Sequence, residues 1–170
     1  MGRYIAFCDS DDLWEPEKLE KQLKFLDKNN LSFTCSSYNK IDENGNFLRS
    51  FICDKYLYFE KLLYYNQIGC LTVIYDTSKL GKLKMPNMRA RQDYALWLLI
   101  LKEIKKTKTM IDILASHRVR KGSVSSAKFK LIKYNFSIYK NILDYNVFLS
   151  FFMLSKFLCK YLKEKFLNFN

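Results

Sequence analysis

The chain has 170 residues, of which 49% are hydrophobic, enough for one domain with a sizeable core. Lys and Arg number 29 against 17 Asp and Glu, so the formal net charge is +12. The five cysteines show no CxxC spacing, and their odd number argues against a disulfide framework. No apolar stretch is long enough for a membrane-spanning helix, and the first residues show no signal-peptide pattern. We therefore expect a cytoplasmic protein.

The predicted elements alternate between strands and helices over most of the chain. Residues 3–8 are almost all apolar, as in a strand covered on both faces. Helical spacing follows Pro16 at Leu19, Leu23 and Leu26. A turn at 42–46 joins two strands into a hairpin. Further patterns predict strands at 32–38, 47–49, 71–75 and 110–119, and helices at 58–65 and 94–105.

Three acidic residues follow the first strand directly. Asp9, Asp11 and Asp12 lie at the carboxyl end of this strand, where open α/β sheets bind ligands. Carboxylates gathered so closely repel one another unless a cation lies among them. Oxygen ligands of this kind suit Mg²⁺ or Mn²⁺, which keep open positions for substrate phosphates. The alternative is that these residues cap the helix that begins near Pro16, since Asp is a favoured N-cap residue.

The last quarter of the chain is basic and rich in aromatic and aliphatic residues. From position 128 onward, eight lysines stand against Asp144 and Glu164. Helical spacing is followed by Leu154, Leu158, Leu162 and Phe166. Because most lysines occupy other faces, the pattern predicts a helix that lies in a membrane interface. The alternative is a helix that packs on the domain while its lysines stay solvated.

Three segments together resemble family 2 glycosyltransferases with the GT-A fold. Residues 2–22, GRYIAFCDSDDLWEPEKLEKQ, resemble the central acidic signature of that family. Residues 68–73, IGCLTV, resemble its acceptor-side strand, and residues 91–97, RQDYALW, resemble the segment with its catalytic base. The resemblance implies an α/β fold over 1–127, a partial GT-A (Rossmann-like) mixed sheet flanked by helices. A basic amphipathic helical tail would follow over 128–170.

The resemblance also implies residue roles on the donor side. A nucleotide-sugar donor would be held through Mn²⁺ or Mg²⁺, with Asp11 as a direct metal ligand. Asp9 would face the ribose or the metal, and Asp12 would support the loop or share the cation. Arg118 and Arg120 would contact the diphosphate, because a guanidinium pairs with phosphate in bidentate fashion.

On the acceptor side, the resemblance makes Asp93 the general base of an inverting displacement. The alternative for Asp93 is an N-cap of the helix at 94–105. Gln92 would position the acceptor, and Thr72 and Trp97 would lie nearby, although Trp97 is also a natural core residue. His117 is the sole histidine, and a lone histidine is more often structural than a metal ligand.

One departure from the family concerns the region before Tyr4. In the family, a Rossmann-like half that binds the nucleotide precedes the acidic motif, and no such half is present here. We therefore expect an interrupted reading frame or a short partner of a separately encoded first half. The predicted function is sugar transfer from a nucleotide sugar to a cell-surface glycan or lipid-linked acceptor at the membrane. The alternative is an inactive, membrane-associated remnant or partner subunit.

Two other classes fit the sequence less well. Phosphatases with an aspartyl nucleophile also open with a strand that ends in Asp-x-Asp, but their later lysine and paired acids are not recognisable here. Nucleic-acid binding would explain the positive charge, yet no RNP-like or helix-turn-helix pattern accompanies the lysines. We therefore expect no nucleic-acid partner.

Overall fold

The computed structural model describes residues 2–120 and 128–167, with 128–131 and 164–167 described by their backbone only. The strands are β1 (Tyr4–Ala6), β2 (Leu13–Trp14), β3 (Phe33–Thr34), β4 (Ser36–Ile41), β5 (Phe47–Phe51), β6 (Tyr56–Tyr58), β7 (Ile74–Asp76), β8 (Lys106–Lys108) and β9 (Met110–Arg118). The helices are α1 (Lys18–Lys28), α2 (Phe59–Leu62), α3 (Thr77–Leu80), α4 (Gln92–Ile104), α5 (Lys128–Ser137) and α6 (Val147–Leu167). A 3-10 turn, Cys70–Thr72, precedes β7, and a π turn, Ile138–Ile142, follows α5.

The strands form three small sheets. One has the order β1-β7-β3 and is antiparallel throughout. The second has the order β2-β9-β4-β5, in which β4 and β9 are parallel and the other pairs are antiparallel. The third pairs β6 with β8. This mixed sheet arrangement flanked by helices confirms the predicted α/β class.

Helix α4 occupies the centre of the core. It is apolar on nearly all sides, and seven of its residues are buried: Tyr94, Ala95, Leu96, Trp97, Leu98, Ile100 and Leu101. The Trp97 ring, which is 0% exposed, lies 5.2 Å from the Phe7 ring and 5.6 Å from the Phe33 ring. Packing between Trp97 and Phe7 therefore places the first turn of α4 beside the residues that follow β1.

The structure departs from the sequence prediction around residue 72. The segment 71–75 reads as a strand, but its first residues form a 3-10 turn instead. Thr72 donates through Oγ1 to the Gly69 carbonyl at 2.7 Å, and its own carbonyl accepts from Gln22 at 2.8 Å. These bonds outweigh the β propensity of the segment. The predicted helix at 58–65 is likewise short, and α2 has one turn.

The tail consists of two helical pieces, as predicted, separated by residues 143–146. Asp144 has φ 56°, a left-handed conformation that ends the first piece. In α6, Leu154 and Phe157 are buried, and Leu154 belongs to the same core cluster as α4. One face of α6 thus packs on the domain; the predicted contribution of Phe166 lies outside the described side chains. Within the described residues, no helix is both long and apolar enough to traverse a bilayer.

Candidate active site

A cavity of about 830 Å³ opens between the end of β1, strand β4 and the start of α4. Its acidic lining residues are Asp9, Asp12 and Asp93. Its basic lining residues are Lys40, Arg89 and Arg91, and Tyr38, Tyr94, His117 and Tyr134 add aromatic surface. The cavity therefore gathers both predicted segments, the acidic loop and the Gln92–Asp93 pair, around one space.

The acidic loop is fastened to β9. Strand β2 pairs with β9 directly after the loop, in the register Leu13 with Ser116 and Trp14 with Ala115. Trp14 also donates through Nε1 to the Leu71 carbonyl at 2.8 Å, which brings the 3-10 turn to the loop. The loop thus has a fixed position at the cavity edge.

Asp12 lies deep in this loop. Its Oδ1 accepts from the backbone N–H of Arg118 at 2.9 Å, while its buried Oδ2 has no hydrogen-bond partner among the described residues. Burial raises the pKa of Asp12, although the bond from Arg118 opposes the rise. The acidic residues do not cap α1, because the N-cap of this helix is Glu17, which makes no side-chain cap bond.

Asp11 and the two arginines lie beside the cavity but do not line it. Asp11 accepts through Oδ2 from Arg120 Nε at 3.0 Å. Arg118 donates through Nε to the Asp11 carbonyl at 3.0 Å, and its Nη1 donates to the carbonyls of Asp42 and Glu43 at 3.2 and 3.0 Å. Arg118 therefore braces the acidic loop against the β4–β5 turn, and Arg120 neutralises Asp11.

His117 faces the same cavity. Its ring meets the Tyr38 ring edge-on at 6.4 Å, and its Nδ1 has no hydrogen-bond partner within the described residues. The nearby His117 ring lowers the pKa of Asp12, against the larger effect of burial. A lone histidine gave a weak signal in the sequence, yet His117 lines the same cavity as Asp9 and Asp12.

Asp93 and Gln92 lie in the first turn of α4 and line the cavity. The N-cap is Arg91, which has φ 63° and makes no side-chain cap bond. Burial raises the pKa of Asp93, whereas backbone N–H groups in its own turn oppose the rise. A carboxyl group with a raised pKa is suited to accept a proton.

The remaining acceptor-side predictions, Thr72 and Trp97, do not line the cavity. Thr72 holds the turn at Gly69, which does line it. A Cβ at Gly69 would lie 3.0 Å from Tyr38 Cε1, so a larger residue there would require the Tyr38 ring to shift. Trp97 is enclosed in the core, and its contribution is to support Phe7.

Several lining residues were not found from the sequence. Tyr38 and Lys40 are two residues apart on β4 and therefore lie on one face of the strand. This period-two spacing on a strand beside the acidic loop is the signal that points to them. Arg91 is the first residue of the segment 91–97, but the family resemblance implies no role for it. Tyr134 comes from α5, and no local pattern connects it to a cavity formed so far away in sequence.

The side chains that could ligate a divalent cation fit such an ion only in part. Among the described residues, no group of three His, Cys, Asp or Glu side chains is arranged to hold a metal ion. Asp9, Asp12 and His117 nevertheless line the cavity, and the buried Oδ2 of Asp12 and Nδ1 of His117 have no hydrogen-bond partner among the described residues. Mg²⁺ and Mn²⁺ commonly bind through one or two carboxylates and complete their coordination with substrate phosphates and water. The residues present suit such a sparse site.

Comparison with known proteins decides the family. The family described as Glycosyl transferase family 2 matches residues 1–82. TuaG of Bacillus subtilis (strain 168), a glycosyltransferase named for teichuronic acid biosynthesis, is 40% identical over 143 residues, which are 84% of this chain and 57% of TuaG. The chain belongs to glycosyltransferase family 2.

Other family 2 relatives carry more specific names. The Escherichia coli protein WfgD, named UDP-Glc:α-D-GlcNAc-diphosphoundecaprenol β-1,3-glucosyltransferase, is 39% identical over 133 residues, which are 78% of this chain and 52% of WfgD. The chain thus spans about half the length of the relatives it matches.

A similar fold is also found among solved structures. Staphylococcus aureus TarS, residues 1–349 in complex with UDP-GlcNAc, superposes with a TM-score of 0.55 at 15% identity. The superposition covers 93% of this chain and 48% of that one. This likeness supports the GT-A fold that the three sequence segments imply.

Proposed function

We propose that this chain acts in the metal-dependent transfer of a sugar from a nucleotide-sugar donor to a cell-surface glycan or lipid-linked acceptor. The observation that supports this most is the shared cavity, which Asp9 and Asp12 line on one side and Asp93 on another. Relatives with glycosyltransferase names support the reaction class. WfgD is named for a diphosphoundecaprenol-linked acceptor, which supports an acceptor on a lipid carrier.

We assign the metal to Asp9 and Asp11, with Asp12 and His117 as supporting ligands or hydrogen-bond partners. When bound, Mn²⁺ or Mg²⁺ would neutralise the diphosphate leaving group as a Lewis acid. Asp11 is 26% exposed and pairs with Arg120, which is 58% exposed. Such exposed ion pairs contribute only about 0.2–1 kcal/mol, so Asp11 is available to exchange Arg120 for a cation.

Asp93 is the proposed general base. It would take the proton of the acceptor hydroxyl while that oxygen forms a bond to the anomeric carbon and the bond to the diphosphate oxygen breaks. Gln92 is neutral and would hold the acceptor by hydrogen bonds. Because the cavity walls bury Asp93, its raised pKa brings it closer to the working pH, where a base is most effective.

A transfer assay tests this proposal. The chain is incubated with Mn²⁺, a panel of UDP-sugars and a GlcNAc-diphosphate-lipid acceptor, and product is measured for the parent, for Asp93→Asn and for Asp112→Asn. Asp112 is an exposed carboxylate on β9 and serves as the control. We expect Asp93→Asn to lower kcat by about 10²–10⁴ and Asp112→Asn to leave it unchanged. Full activity in Asp93→Asn would contradict the proposal.

The alternative function is that of an inactive partner subunit. Under that alternative, the parent chain forms no product with any donor, and the panel separates the two functions directly.

A further inference from the structure

Helix α6 has two opposite apolar faces. The packed face is Ser150, Leu154 and Phe157, which are 0%, 7% and 8% exposed. The outer face consists of Phe148, Phe151, Phe152, Ser155, Cys159 and Leu162, all of them exposed. A helix that only packs on its own domain needs one apolar stripe and carries polar residues opposite. Phe151 also packs on Phe136 of α5, with ring centroids 4.8 Å apart, yet Phe148, Phe152 and Leu162 stay at least half exposed among the described residues.

The outer face is large and strongly aromatic. Phe148, Phe151 and Phe152 are 89%, 58% and 52% exposed, and Leu162 is 50% exposed. The three Phe residues together leave roughly 400 Å² of their surface in contact with water. A patch of this size equals the largest apolar patch of a typical monomer, and such patches commonly mark interaction sites.

The charges around the outer face indicate which kind of partner it binds. Lys156 and Lys163 are exposed along one flank of the stripe, and the Lys156 Nζ lies 4.7 Å above the Phe152 ring. Between positions 132 and 163 the sequence contains five lysines and one acidic residue, Asp144. Lysines that extend along apolar rings with their ammonium groups in water suit the boundary between acyl chains and anionic headgroups. A protein partner would instead be expected to meet charges of both signs.

We propose that the outer face of α6 docks in the headgroup region of an anionic lipid bilayer, with the helix axis parallel to the membrane plane. The inference goes beyond the proposed function and does not depend on it, since lipid binding needs no turnover. The packed face of the same helix touches the cavity wall, because the Phe157 ring lies 5.3 Å from the Arg91 guanidinium. Docking would therefore hold the cavity near the membrane surface, where a lipid-linked acceptor is presented.

Vesicle binding by fluorescence tests the proposal. Phe148→Trp places an indole on the outer face, and Phe47→Trp places one on β5, where Phe47 is also 62% exposed. Difference spectra against the parent remove the signals of Trp14 and Trp97. Phosphatidylglycerol vesicles should shift the Phe148→Trp emission to the blue and leave Phe47→Trp unchanged. Equal shifts, or no shift at either position, would overturn the proposal.

Partition coefficients give a second, independent readout. The double variant Phe148→Ser/Phe152→Ser should lower partitioning into these vesicles at least about tenfold, with Phe47→Ser as the matched control. Lys156→Gln should weaken it about fivefold at low salt, and phosphatidylcholine vesicles should bind poorly. Since these side chains are exposed, the variants should fold, and circular dichroism checks this. If sedimentation without lipid finds a dimer that Phe148→Ser dissociates, the face binds a second copy and the proposal is overturned.

Discussion

Lys18 offers the sharpest stability prediction because it is a buried cation with no counter-charge in contact. The side chain is 0% exposed, and its Nζ has no hydrogen-bond partner among the described residues. The nearest compensation is the Trp14 ring, whose centroid lies 4.2 Å from Nζ. Burial lowers the pKa of Lys18 from 10.5 to about 8. At about 1.4 kcal/mol per pKa unit, folding with a charged Lys18 costs about 3 kcal/mol.

Lys18→Met removes the charge and keeps most of the apolar stem. At pH 7 we therefore expect the free energy of unfolding to rise by about 3 kcal/mol. The unfolded chain binds more protons than the folded one between pH 8 and 10.5, so the parent gains stability as the pH rises through this window. The advantage of the variant should accordingly shrink to about 1 kcal/mol at pH 10.

Urea denaturation followed by circular dichroism at pH 7 and pH 10 measures both values. Lys21→Met, on the exposed side of α1, is the control and should change stability little at either pH. This prediction is wrong if Lys18→Met is less stable than the parent at pH 7. It is also wrong if the variant gains the same free energy of unfolding over the parent at both pH values.

Three further predictions follow from other parts of the structure. Burial raises the pKa of Asp76, but hydrogen bonds from Arg3 and Ser78 outweigh this effect and lower the pKa to about 2. The carboxylate therefore stabilises the fold above about pH 4 and stabilises it less as the pH falls towards 2. Asp76→Asn should lower the free energy of unfolding by about 2 kcal/mol at neutral pH, and a loss that persists at pH 2 in denaturation curves would contradict this. The raised pKa of Asp93 should place the acidic limb of the kcat/KM profile above the ordinary range of an aspartate, and a limb near pH 4 would argue against Asp93 as the base. Arg120→Gln removes the cation that competes for Asp11, so Mn²⁺ should bind about twofold to fivefold tighter by calorimetry, whereas weaker binding would show that Arg120 assists the metal site.

Much of the fold could be predicted from local sequence patterns. The apolar period-3.6 signals gave α1 and α4 to within a few residues, and the turn at 42–46 correctly joined β4 to β5. These elements are specified by neighbours in sequence. The 3-10 turn, Cys70–Thr72, was not predictable in this way, since it depends on Gln22, fifty residues away in sequence.

The candidate site could be predicted where it rests on contiguous motifs. The acidic loop and the Gln92–Asp93 pair were both found, and the structure brings Asp9, Asp12, Gln92 and Asp93 to one cavity. The surroundings of Arg118 were not predictable, because its partners come from the β4–β5 turn. Sequence spacing also could not decide that α6 packs one apolar face and exposes another, since both faces follow helical periodicity.

We propose that the acidic loop holds a divalent cation together with a diphosphate. The most direct test is Mn²⁺ electron paramagnetic resonance with inorganic pyrophosphate, which separates the metal–diphosphate contact from recognition of the nucleoside. We predict that pyrophosphate increases the fraction of Mn²⁺ bound to the parent and to the control Asp112→Asn, beyond the Mn²⁺–pyrophosphate complex measured without protein, and that Asp11→Asn and Asp9→Asn abolish this increase. Mn²⁺ binding that pyrophosphate does not change, or that survives in both loop variants, would contradict the account.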